Sequence, residues 1–350
     1  MHSDYLNDPS DEAIRLTNDD ATVSRLSAMQ LGYFEDPFVK YFVKRPVRRM
    51  PIINRGSHIR SRALDTLVQQ FLSLPGPSAT SSKKQIVSLG AGFDTRYFMI
   101  KSGALDTETA CLKHSLSNYF EVDFPENIVK KARIIKQRKE LQDVLLQPSS
   151  SSPGNNQQEI RLEKGGTELS SFDYHLIGGD LRQWDQVVDR LVAHGLDRNA
   201  PTLFLSECVF IYLPPDSATS ILKWIERTIS DCAFALYEQI RPDDNFGKIM
   251  IRNLQMRNIE LKGIHDYPSL HHQEQRFLNL GWDHAESVDI NTLHDCFLDD
   301  QERARIAKLE IFDEMEEWRL LSEHYCVAWA YKADKYKQSF GQQFGLKHKS

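Results

Sequence analysis

Four short apolar segments, each delivered into a glycine turn or a carboxylate, recur along the chain with helix-length stretches between them. They are IVSL running into Gly90-Ala91-Gly92, NYFEVDF with Asp123 near its end, YHLIGGDL with Asp180 and Leu181, and PTLFLSECVFIYL with Glu207. CAFALYEQI (232–240) follows as a fifth apolar segment. Strands alternating with helices in this way imply an α/β fold built on a doubly wound, mostly parallel sheet. In such sheets ligands bind outside the carboxyl ends of the strands, where these four segments place their polar residues.

The intervening stretches carry helical periodicity. Ala63, Leu64, Leu67, Val68 and Phe71 predict a helix over 57–72, broken by PGPSATSS. Further helices are expected at 126–146, 184–194, from the Pro-Pro-Asp at 214–216 to about residue 229, at 246–261 and at 268–280. A charged helix over 300–320, with Ile306, Leu309, Phe312 and Met315 on one face, precedes a terminal strand at 325–331. Residues 1–22, dense in Asp and Asn, read as a flexible arm, and 147–168 as a disordered surface loop of linker composition. The expected organisation is one domain over 23–335, with a lid at 23–75 and a tail at 336–350.

Composition narrows the function classes. A net charge of −6 argues against a dedicated nucleic-acid binder, and no apolar run is long enough to cross a membrane. The polar N-terminus does not read as a secretory signal, and the five scattered cysteines suit a reducing, cytoplasmic setting. No metal-ligand spacing is visible: His271 and His272 are adjacent, so they cannot share a helix face.

Glycines at 90 and 92 let the backbone turn tightly against a ligand, but the third glycine of a dinucleotide fingerprint is missing. Asp123 suits the two hydroxyls of a ribose, and Asp180 beside Leu181 suits an adenine edge and ring. Any one carboxylate reads as a solvated turn residue; four strand ends in register point to a site. With no GxxxxGK[ST] and no phosphate-handling lysine, the pattern fits a nucleoside cofactor without phosphates.

INRGSHIR, IVSLGAGFDTR, YFEVDFP, GGDLR, LSECVFIYLPP, YEQIRPDDNFGKIMIRNL and FDEMEEW with HYCVAWA are similar, in order and over about residues 22–331, to leucine carboxyl methyltransferases. The resemblance implies a class I S-adenosylmethionine-dependent methyltransferase fold with a lid. It also implies methylation of the C-terminal leucine carboxylate of type 2A protein phosphatase catalytic subunits, and S-adenosyl-L-methionine contacts at Arg60, Gly90, Asp123, Asp180, Leu181 and Glu207. Family members carry a lysine near Arg25, so Arg25 would keep the charge with a different geometry. The resemblance further implies a protein partner that offers a C-terminal tail, with no nucleic acid and no membrane; the chain is expected to act as a monomer.

A terminal carboxylate has a pKa of roughly 3.3–3.7 and is already ionised at neutral pH, so no general base is required. Catalysis should be positioning, with a buried cation holding the carboxylate, and Arg60 is the candidate. Tyr212 is the candidate pocket wall. Against this stands Arg60 as a surface residue paired with Asp65, Cys208 as a small buried hydrophobe, and the basic run Lys44, Arg45, Arg48, Arg49 as a solvated face. Rival functions are a small-molecule carboxyl or hydroxyl methyltransferase, a modifier of a bulky tRNA base, and a non-catalytic phosphatase-binding scaffold.

Overall fold

In the computed structural model, which describes residues 9–76, 83–107, 110–146 and 159–347, the chain opens with two long helices. These are α1 (Pro9–Gln30) and α2 (Pro51–Ser73), the second begun by a proline whose missing N–H costs nothing at a first helical position. Then follow β1 (Lys84–Leu89), α3 (Arg96–Ser102), β2 (Leu116–Asp123), α4 (Pro125–Gln137) and α5 (Lys139–Leu145). The short strands β3 (Arg161–Glu163) and β4 (Glu168–Ser170) lead to β5 (Tyr174–Gly178), α6 (Trp184–Ala193) and β6 (Thr202–Glu207). Next come α7 (Pro215–Thr228), β7 (Asp231–Gln239), α8 (Asn245–Gln255), α9 (Leu270–Leu278) and β8 (His284–Asp289). The chain finishes with α10 (Ile290–Thr292), α11 (Asp300–Ala307), α12 (Met315–Ser322), β9 (Tyr325–Ala333) and α13 (Lys337–Gln343).

All strands join one sheet in the order β3-β4-β5-β2-β1-β6-β7-β9-β8. The five central strands are parallel, while β9 runs antiparallel to β7 and to β8, and β4 antiparallel to β5. The chain leaves β1 on one side for β2 and β5, then crosses to its other side for β6. The crevice at the carboxyl ends of β1 and β6 is therefore the topological switch point, where α/β sheets bind ligands.

Period-2 alternation divides the core. Ile86, Leu203, Leu205, Ala233 and Trp329 face a layer with Leu64, Leu67 and Phe71 of α2. Val87, Leu89, Phe204, Phe234 and Ala330 face Val187, Ile221, Leu222 and Phe277 of α6, α7 and α9. No described helix is long and apolar enough to cross a membrane.

Several sequence expectations are corrected. Residues 9–22 are not an arm: they lie within α1 and make up more than half of it. In the loop predicted for 147–168, residues 147–158 lie outside the described residues, but 161–163 and 168–170 add two strands to the sheet edge. In the tail predicted for 336–350, residues 348–350 lie outside the described residues, but Lys337–Gln343 form α13, and Phe340, Phe344 and Leu346 are buried. The helix expected over 300–320 is two helices, α11 and α12, and that over 126–146 breaks at Arg138. The aromatic cluster at 33–42 packs inward: Phe42 stacks on Phe93 at 5.5 Å and Phe38 meets Phe98 at 5.7 Å.

Candidate cofactor and substrate cavity

A cavity of about 290 Å³ lies over the switch point, and Arg25, Arg60, Gly90, Asp123, Asp180, Leu181, Glu207 and Tyr212 all line it. The four strand ends of β1, β2, β5 and β6 supply its floor, α2 supplies Arg60, and α1 closes over it with Asp11, Asn18 and Arg25.

The β1 turn leaves no room for side chains. Gly90 has φ +61°, and a Cβ there would stand 2.4 Å from Val209. Gly92 has φ +51°, and its Cβ would stand 2.3 Å from Asn18 Oδ1. The bare backbone is used at once: Gly92 N donates to Asp123 Oδ2 at 2.7 Å, and Phe93 N donates to Asn18 Oδ1 at 2.8 Å. Asp123 Oδ1 accepts from Phe124 N at 2.6 Å and from Asn127 Nδ2 at 2.9 Å. Burial raises the Asp123 pKa above the usual carboxylate value, and these hydrogen bonds offset it only in part.

Asp180, on the cavity wall, is held by a neighbouring arginine. Arg182 chelates it, with Nε 2.9 Å from Oδ1 and Nη2 2.7 Å from Oδ2, and the same guanidinium grips Asp11 of α1 at 2.6 and 3.1 Å. Leu181, buried beside it, also lines the cavity.

At the other end Arg60 donates through Nε to Glu207 Oε2 at 2.6 Å and lies over the Tyr237 ring at 4.7 Å. It does not pair with Asp65, which instead accepts from Arg96 Nε at 2.6 Å. Arg96 also reaches Asp94 at 2.9 Å and the second oxygen of Glu207. Burial alone would raise the Glu207 pKa; Arg96, Arg60 and Arg25 outweigh it and hold the carboxyl at about 2. The terminal amino groups of Arg60 make no hydrogen bond with the described residues, so a forked pair of donors remains at the cavity wall. Arg25 pairs with Asp36 at 2.9 Å and lies 5.5 Å over Phe34.

Cys208 packs against the hydrophobic core, as expected of a small hydrophobe, and also borders the cavity. Its φ is +55°, and burial pushes its thiol up to about 12, so it stays protonated. Tyr212, also on the cavity, is raised by burial and is a neutral hydroxyl. Arg48 and Arg49 of the basic run pair with Glu310 and Asp20, while Lys44 and Arg45 face solvent.

Asn18 Nδ2 and Asn127 Oδ1, both of residues on the cavity, are buried atoms with no hydrogen-bond partner among the described residues. One orphan donor, one orphan acceptor, a side-chain-free turn and Asp123 suit a nucleoside cofactor, so the residues present fit S-adenosylmethionine. Sequence reasoning missed Arg96, Arg182, Asn18 and Asp11. Arg96 and Arg182 stood inside the motifs GAGFDTR and GGDLR, where a charged residue beside a buried turn was the available signal.

The sequence pattern of the leucine carboxyl methyltransferase family matches residues 13–226. The chain is 44% identical over 318 residues to the leucine carboxyl methyltransferase 1 homolog of Arabidopsis thaliana, covering 91% of this chain and 89% of that one. It is 38% identical over 347 residues to leucine carboxyl methyltransferase 1 of Emericella nidulans, covering 92% and 86%. The human tRNA wybutosine-synthesizing protein 4 is 36% identical over 322 residues, covering 92% of this chain but 44% of its own length.

Proposed function

The chain belongs to the leucine carboxyl methyltransferase family, and from that premise we propose that it esterifies the C-terminal leucine α-carboxylate of a type 2A protein phosphatase catalytic subunit. It is an S-adenosylmethionine-dependent methyltransferase. The residues that would hold the cofactor are the Gly90–Gly92 turn, Asp123 for the ribose, Leu181 for the adenine ring, and Arg25 and Arg60 for the amino-acid end. When bound, the cofactor supplies an electrophilic methyl group on a positively charged sulfur.

The observation that carries the reading is Arg60, whose Nε is spent on Glu207 while its terminal donors stay available at the cavity wall. A forked guanidinium is matched to a carboxylate. Because Glu207 remains ionised at neutral pH, it tempers the charge of Arg60. Arg60 then orients the substrate oxygen without quenching its nucleophilicity, as stabilising the ground state would raise the barrier. Tyr212 walls the pocket as a neutral hydroxyl. No residue has to remove a proton, since the substrate carboxyl, at roughly 3.3–3.7, arrives as the anion.

The test uses tritiated S-adenosylmethionine with an intact phosphatase subunit and with one lacking its last leucine. Base-labile label on the intact subunit alone is the expected result. Label on neither, with cofactor still bound, turns the reading toward a small-molecule acceptor. Label on tRNA instead would align the chain with its wybutosine-synthesizing relative.

A further inference from the structure

Helix α2 carries a buried cation that makes no ion pair with the described residues. Arg55 of α2 is 6% exposed, and its guanidinium stacks on the Phe312 ring at 3.9 Å with Trp318 at 5.9 Å. Its Nε is buried without a hydrogen-bond partner, and the guanidinium makes no ion pair with the described residues. Neighbouring Glu310 is committed elsewhere, accepting from Arg48 Nη2 at 2.9 Å, Asn54 Nδ2 at 3.0 Å and the Tyr33 hydroxyl at 3.2 Å. Burial pulls the Arg55 pKa below its usual value, and Tyr33 and Glu310 restore only part of it.

The guanidinium lines an open groove together with Lys308, Glu310, Ile311, Phe312 and Met315, none of which borders the cofactor cavity. Ile311 is 92% exposed on the rim, an unusual position for a branched aliphatic side chain, and Met315 is 39% exposed beside it. Stacking covers a face of the Arg55 guanidinium, so a bidentate oxyanion would meet its N–H donors edge-on, in the plane of the group.

We propose that this groove is a second binding site, taking an oxyanion (a carboxylate or phosphate) attached to an apolar body. Burying a charge without a partner is costly, and an incoming anion lowers that cost. Lys308, exposed at the rim, adds a second positive charge. Ile311 and Met315 receive the apolar part. The anion is either carried by the protein acceptor or free in solution, and the chemistry is the same.

The full chain is titrated with inorganic phosphate and, separately, acetate at constant ionic strength, following intrinsic fluorescence, to which Trp318 beside Arg55 contributes. A saturable change is expected, with half-saturation at least ten-fold higher in Arg55→Met. Lys308→Ala, at an exposed position, is expected to weaken binding about three-fold with an unchanged melting curve, so it keeps the test valid if Arg55→Met folds poorly. A response that is unsaturable, or identical in all three proteins, overturns the site. A second arm rests on the methyltransferase reading. If phosphate inhibits methylation of the intact protein acceptor but not of a short C-terminal peptide, the anion belongs to the acceptor. If it affects both equally or neither, the site takes a free anion.

Discussion

Arg60 and Glu207, 147 residues apart in sequence, meet at 2.6 Å in a pair that leaves half of the guanidinium available. Glu207 is held from its other side by Arg96, so its charge does not depend on Arg60 alone. Arg60→Ala should therefore fold, with Glu207 still neutralised, yet lose about 10²–10³-fold in kcat/KM through lost positioning. Arg60→Lys should recover part of it. Circular dichroism beside turnover checks both halves; an Arg60→Ala protein of full activity would remove its assigned role.

Methyl transfer should show little pH dependence between about pH 6 and 8. Glu207 at about 2 and a substrate carboxyl at roughly 3.3–3.7 are both ionised throughout, and Cys208, at about 12, stays neutral. Burial raises the Glu121 carboxyl to about 7, so a sigmoidal kcat/KM profile that persists in Glu121→Gln would reveal a general base that the geometry does not require.

Glu207 should appear in acid stability. Its carboxyl falls from 4.5 to about 2 on folding, so the ionised form stabilises the fold above pH 4.5, and that contribution is lost as pH drops toward 2. In urea unfolding, wild type minus Glu207→Gln should be constant above about pH 5 and shrink below it. A difference independent of pH down to 2 contradicts the assignment.

Gly92→Ala should impair the cofactor more than the fold. The new Cβ would stand 2.3 Å from Asn18 Oδ1 at a φ of +51°, which disturbs the bond that ties α1 to the glycine turn. The strain costs roughly 1–2 kcal/mol, and calorimetry with S-adenosylhomocysteine should show affinity lowered by at least ten-fold.

Arg182 fastens α1 over the cavity through Asp11. Asp11→Ala should speed cofactor release about ten-fold, in line with roughly 1.5 kcal/mol for a charged hydrogen-bonded pair, while Asp180 remains chelated. Stopped-flow displacement measures this directly, and an unchanged rate would mean that α1 does not gate the cavity.

The strand ends were legible because four apolar runs stop at residues that an apolar interior cannot keep: Gly90, Asp123, Asp180 and Glu207. Arg60 came from motif similarity, since one arginine on a helix says nothing of its partner. Helix α1 was hidden because it buries only a narrow stripe (Leu26 and Ala28 among its core residues) beneath a polar surface. Strand β8, HAESVD, is a half-exposed edge whose polar alternation carries little hydrophobic signal. The break between α11 and α12 falls in KLEIFDE, where neither proline nor glycine marks it. The Arg96 and Arg182 networks depend on Asp65 and Asp11, brought together by tertiary packing that no spacing encodes.

The last described turn of the chain has reach beyond its own position. Gly345 exchanges two hydrogen bonds with Gln70, at 2.9 and 3.0 Å, and Phe340 packs on Phe71 at 6.2 Å, so the C-terminal segment clasps the helix that presents Arg60. Truncation after Tyr336 would thus detune a cavity that none of the described residues beyond it lines. The alignment of the Arg60 guanidinium is a property of chain closure as well as of the residues around it.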